Sequence, residues 1–117
     1  MSKIIVGGHE ITTNKVGSVH TVTSLENSWS GTVRWCVTNG ICVVSLAGVG
    51  RSGGASSPLK VCTVPKAKFA CYMDCSYSSQ TGRAYLEAGT TDLLLYSANS
   101  NSMYFTLVYP VADDWNE

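Results

Sequence analysis

Residues 29–46, Trp-Ser-Gly-Thr-Val-Arg-Trp-Cys-Val-Thr-Asn-Gly-Ile-Cys-Val-Val-Ser-Leu, constrain this chain more than any other stretch. Two runs rich in valine and tryptophan flank Asn39-Gly40, a pair whose backbone preference suits a two-residue hairpin turn. With Asn39 and Gly40 as the central turn residues, Val37 faces Cys42, Trp35 faces Val44 and Val33 faces Leu46. All six point to one side, because strand side chains alternate with period 2. Arg34 then faces Ser45, and Cys36 faces Val43, on the other side. A one-residue slip would mix apolar and polar faces, so turn chemistry and hydrophobic pattern select the same register.

The rest of the chain reads as short strands separated by turn residues. Strands are expected at residues 3–6, loosely over 11–23 as an edge strand or extended arm, and at 59–64, ended by Pro65, which cannot donate to a ladder. Residues 24–28 read as a turn. Residues 48–58, rich in glycine and serine, read as a long loop. Residues 69–77 alternate well, with Phe69, Cys71, Met73, Cys75 and Tyr77 on one face and Ala70, Tyr72, Asp74 and Ser76 on the other. Residues 83–88 follow, with Ala84, Leu86 and Ala88 inward. Further strands are expected at 93–96 and 103–109, the last stopped by Pro110, before a short acidic tail. About eight short strands without a helical period indicate an all-β fold, an antiparallel β-sandwich or jelly-roll-like domain. The 117 residues suffice for one such domain.

Formal net charge is zero and charged residues make up only 14%, well below the roughly one quarter usual in soluble domains. Serine, threonine, glycine and asparagine take their place, as in β-rich proteins that associate or recognise neutral polar ligands. No basic stripe points to nucleic acid, and no apolar run approaches the ~20 residues of a membrane span. The N-terminus is apolar over too few positions for a signal peptide, so a chain made and kept in a cytosol until assembly is expected. The five cysteines are odd in number and scattered, which argues against a disulfide framework. Cys36 and Cys42 fall on opposite hairpin faces, and Cys71 lies about 13 Å from Cys75 along a strand. Reduced structural thiols are expected.

Chemical motifs fail on their context. Ile5-Val6-Gly7-Gly8 matches a protease N-terminus for four residues, but the nucleophile segment that such chemistry needs is missing. Residues 48–54 lack the Gly-Lys-Ser/Thr ending of a phosphate loop and lead to proline and strand. His9 and His20 have no partner at metal-ligand spacing, and no two carboxylates pair across an expected cleft. A non-enzyme with no cofactor and no metal is expected.

Several residues read together carry a resemblance: Trp29, Val33-Arg34-Trp35, Asn39-Gly40-Ile41, Val61-Cys62-Thr63-Val64-Pro65, Gly82-Arg83-Ala84-Tyr85-Leu86 and Val108-Tyr109-Pro110. Their order resembles the small β-rich C-terminal receptor-binding heads of tailed-phage tail fibre and baseplate proteins. The likeness spans about 80 residues. It implies a virion protein acting as a homotrimer that binds a host-surface receptor, a saccharide, in clefts between subunits. Two features depart from that pattern. Only 28 residues precede Trp29, and the chain ends seven residues after Pro110 with a tryptophan of its own. An alternative is therefore a capsid decoration, head-fibre or other accessory protein that binds virion proteins and no host ligand.

Ligand contacts are expected on loops, which vary without disturbing a core. Arg51 in the glycine-rich segment, and Asn99, Asn101 and Tyr104 near the last strand, offer guanidinium, amide and aromatic groups suited to sugars. Asp113, Asp114 and Trp115 combine carboxylates with a stacking ring. The outward hairpin strip Cys36, Ile41 and Val43 is expected to be covered by the arm over residues 11–22 or by a neighbouring subunit.

Overall fold

A computed structural model of the chain describes residues 3–6, 9–12, 17–75, 81–98, 100 and 102–116, with the backbone alone at 3–6, 9–12 and 75. Strands β1 (Lys3–Val6) and β2 (His9–Thr12) form a hairpin of their own. β3 (His20–Val22), β4 (Trp29–Thr38), β5 (Ile41–Arg51) and β10 (Met103–Pro110) make one antiparallel sheet in the order β10-β5-β4-β3. β6 (Ala55–Thr63), β7 (Cys71–Cys75), β8 (Gly82–Leu86) and β9 (Asp92–Ser97) make the second, in the order β6-β9-β8-β7. Among the described residues there is no helix, and the two four-stranded sheets pack face to face as an all-β sandwich.

The central hairpin forms in the expected register: Val37 pairs with Cys42, Trp35 with Val44, Val33 with Leu46, Arg34 with Ser45 and Cys36 with Val43. Asn39 and Gly40 both have positive φ, 53° and 77°, the conformation of a type I′ turn. Val33, Cys42, Val44 and Leu46 are fully buried, whereas Trp35 and Val37 are half-buried. His20 stacks on Trp35 at 3.9 Å and Trp115 meets it edge-on at 6.1 Å, an arrangement favourable to aromatic pairs.

The opposing layer supplies Val61, Cys62, Ala84, Leu86, Leu93 and Leu95, and β10 adds Met103, Phe105, Leu107 and Tyr109 on alternate positions. Inside this core, Tyr109 donates from its hydroxyl to the Pro65 carbonyl at 2.8 Å. This joins the end of β10 to the end of β6.

Three expectations need correction. The segment 48–58 is not a long loop: β5 continues to Arg51, β6 begins at Ala55, and a tight turn with Gly54 N–H donating to Arg51 O at 2.8 Å joins them. Pairing with β4 and β9 overrides the low strand propensity of glycine and serine. Phe69 lies outside β7 and is 56% exposed. Ala88 sits in an exposed turn, and residues 76–80, Tyr77 among them, lie outside the described residues. The acidic tail is docked, with Val111 N–H donating to Gly40 O and Ala112 N–H to Lys66 O, both at 2.8 Å.

Cys36, Cys42, Cys62 and Cys71 are free thiols, as expected; the side chain of Cys75 lies outside the described residues. Burial pushes Cys42 and Cys62 up to about 11. At pH 8 such thiols are ~0.1% thiolate, and the thiolate is the reactive form. In the native protein a thiol reagent should therefore modify the half-buried Cys36 well before Cys42 and Cys62, which should react only on denaturation. Peptide mapping after timed labelling checks this. Equal labelling of all three in native conditions would contradict it.

Candidate ligand-binding face

Antiparallel register fixes which residues meet on the outer surface of the second sheet. Tyr72 faces Tyr85, which faces Leu94; Asp74 faces Arg83, which faces Tyr96. The intervening Ala84, Leu86, Leu93 and Leu95 are buried in the core, so alternation turns the tyrosines and charges outward. Tyr72, Tyr85, Tyr96 and Arg83 line a shallow depression of about 490 Å³ together with Pro58 and Glu87.

The electrostatics of this face are organised by Arg83. Its Nε and one terminal nitrogen bind both oxygens of Asp74, the latter at 3.1 Å, a bidentate arrangement that fixes the guanidinium plane. The same group lies 5.6 Å from the Tyr72 ring centroid, within cation–π range. The hydrogen bonds from Arg83 hold the Asp74 carboxyl below its ordinary value, and Asp74 in turn raises Arg83. Among the described residues Glu87 has no ion-pair partner, which leaves its carboxylate free to accept hydrogen bonds.

Three phenol rings, a fixed guanidinium and a free carboxylate, set on rigid strands, suit a neutral polyhydroxylated ligand. The ring faces cover the C–H face of a sugar, the phenolic groups add a polar handle, and the charged groups meet hydroxyls. Lining of this kind, mostly aromatic with a few placed polar groups, is usual for small-ligand sites.

The residues singled out from sequence are distributed differently. Arg51 is structural: its Nε donates to Asn27 O and a terminal nitrogen to Gly54 O, both at 2.7 Å, clamping the turn between β5 and β6. Tyr104 is 62% exposed on β10 and lies over Gly48. Asn99 and Asn101 lie outside the described residues. Asp113 and Asp114 are ion-paired with Lys68 and Lys66, each at 2.9 Å. Asp113 and Trp115 do share a small depression of about 240 Å³ with Val37 and Gly40. The Trp115 ring, however, is engaged with Trp35. The structure thus brings Asp113 and Trp115 together and leaves Arg51 and Tyr104 outside that depression.

The proximity of Tyr72, Tyr85 and Tyr96 depends on strand order, which no short stretch of sequence carries. Each occupies an outward position of its own strand, which alternation reveals. Adjacent outward tyrosines across two successive hairpins, 71–86 and 82–97, were the available signal. No family model, curated protein or solved structure matches this chain.

Proposed function

We propose that this protein is a phage virion component, a tail fibre or baseplate tip that assembles as a homotrimer and binds a host-surface saccharide on the β7–β8–β9 face. The observation that carries the reading is the Tyr72–Tyr85–Tyr96 surface with Arg83 and Glu87. Supporting it, the motifs behind the fibre-tip resemblance occupy the corner points of the sandwich. Trp29 opens β4, Asn39-Gly40 turns the hairpin, Pro65 follows β6 and Pro110 closes β10.

Replacing Tyr72 and Tyr85 together with alanine tests it. Both are surface residues, so the fold should persist. Binding on a glycan array, and competition by the protein against host adsorption, should fall by ~30-fold or more, the loss of about 2 kcal/mol expected for central aromatic contacts. Unchanged binding would move the ligand elsewhere. Absence of any host or glycan binding by the native protein would favour the second reading, a capsid decoration or accessory protein. The exposed apolar residues Ile41, Val43 and Val108 support that reading, since they suit a protein contact better than a sugar.

A further inference from the structure

The strands of the second sheet carry two cations, Lys60 on β6 and Arg83 on β8, and carboxylates hold both. Lys60 lies between Glu26 and Asp92, at 3.4 and 3.2 Å. Arg83 is bound through Nε and a terminal nitrogen to the two oxygens of Asp74. The charged groups that line the tyrosine depression are Arg83 and Glu87, whereas Asp74 does not line it. The Asp74 side chain is 65% exposed. An ion pair so open to water adds little to stability, so its main consequence is for what the guanidinium can bind.

A guanidinium recognises a carboxylate or a similar oxyanion through its fork, two parallel N–H donors matched to two acceptor oxygens. In this face the fork is already filled by Asp74. An acidic sugar would have to displace Asp74, or else approach with Asp74 and Glu87 both close by, and like charges brought together count against such a partner. A hydroxyl meets neither obstacle. The N–H groups of Arg83 outside the fork can donate to its oxygen, and the Glu87 carboxylate can accept its hydrogen bond. The guanidinium also lies 5.6 Å from the Tyr72 ring centroid, which keeps these donors beside a ring suited to stacking. Discrimination between ligands of similar shape is often built in this way, by a repulsive element as much as by an attractive one.

We propose that Asp74 sets the specificity of the β7–β8–β9 face: by filling the Arg83 fork it makes the face select neutral saccharides and reject those that carry carboxylate or sulfate groups. Asp74 acts through Arg83 and is a positioning residue. This rests on the reading of the face as a saccharide site.

The test uses the full chain and array glycans in matched pairs, each neutral glycan beside its counterpart bearing a uronic acid or a sulfate. The native protein should bind the neutral member of a pair. Asp74→Asn keeps the size of the side chain, removes its charge and turns one acceptor into a donor, which releases the fork. Its circular dichroism should match the native protein, and its preference for neutral over acidic members should fall by about 10-fold or more, the scale of a hydrogen-bonded charge contact. The acidic binding it gains should weaken as salt is raised and should vanish when Arg83→Gln is added. Asp74→Glu, which keeps the carboxylate, should retain the neutral preference. Native protein that binds both members of a pair equally would overturn the role of Asp74 and leave the saccharide site standing. So would an Asp74→Asn variant that loses neutral binding without gaining acidic binding, or whose preference is unchanged. No glycan bound by the native protein or by the variant would overturn both.

Discussion

Tyr109→Ala should destabilise the protein by about 3–5 kcal/mol, the range for removing a large aromatic side chain from a packed core. Tyr109 is 2% exposed, on β10, and its hydroxyl donates to the Pro65 carbonyl at 2.8 Å. Burial, together with its contact to Cys42, pushes the phenol far above its ordinary value, so it is a neutral donor at any physiological pH. Tyr109→Phe separates the two contributions. It keeps the ring but leaves the carbonyl of the buried Pro65 unpartnered, which should cost roughly 1–3 kcal/mol. Urea unfolding of the three proteins checks both. An alanine variant within ~1 kcal/mol of native would mean that the site collapses freely, contrary to the bracing of β10 against the end of β6 described here.

Gly31→Ala should have an effect of similar size for a different reason. Gly31 sits at the register shift in β4 between Ser30 and Thr32, with φ at +124°. A Cβ there would lie 2.6 Å from Gly48 O and 2.8 Å from Val49 Cα, both backbone atoms of the paired strand. Backbone strain contributes roughly 1–3 kcal/mol, and overpacking that no rotamer change can relieve contributes about as much again. Gly53→Ala is the internal control. It also has positive φ, 79°, but nothing lies within 4 Å of its Cβ position, so only the conformational cost of ~1–2 kcal/mol remains. Equal urea midpoints for the two variants would refute the close approach at Gly31.

How far the sequence could be read depended on how local each feature is. In the central hairpin, the turn pair and the alternating residues lie within 18 positions of one another, so a single register satisfies both. The inward positions Ala84 and Leu86 of β8 were legible for the same reason. The segment 48–58 misled because its glycines and serines suit a loop locally, while the ladder partners that make most of it strand, from Trp29 to Ser97, are distant in sequence. Trp35 was legible as inward-facing. Its half-burial was not, because the rings that meet it, His20 and the tail residue Trp115, come from distant parts of the chain.

The sequence by itself determined the all-β class and the pairing of β4 with β5, because these follow from alternation and turn chemistry along the chain. Only the tertiary structure decided the candidate ligand face and the approach of β7 to β10. Tyr72, Tyr85 and Tyr96 become neighbours through the order β7-β8-β9. β7 and β10 become adjacent edges through the way two sheets are stacked. Strand order and sheet stacking are set by the burial of the whole core at once, a cooperative property that no short stretch of sequence carries alone.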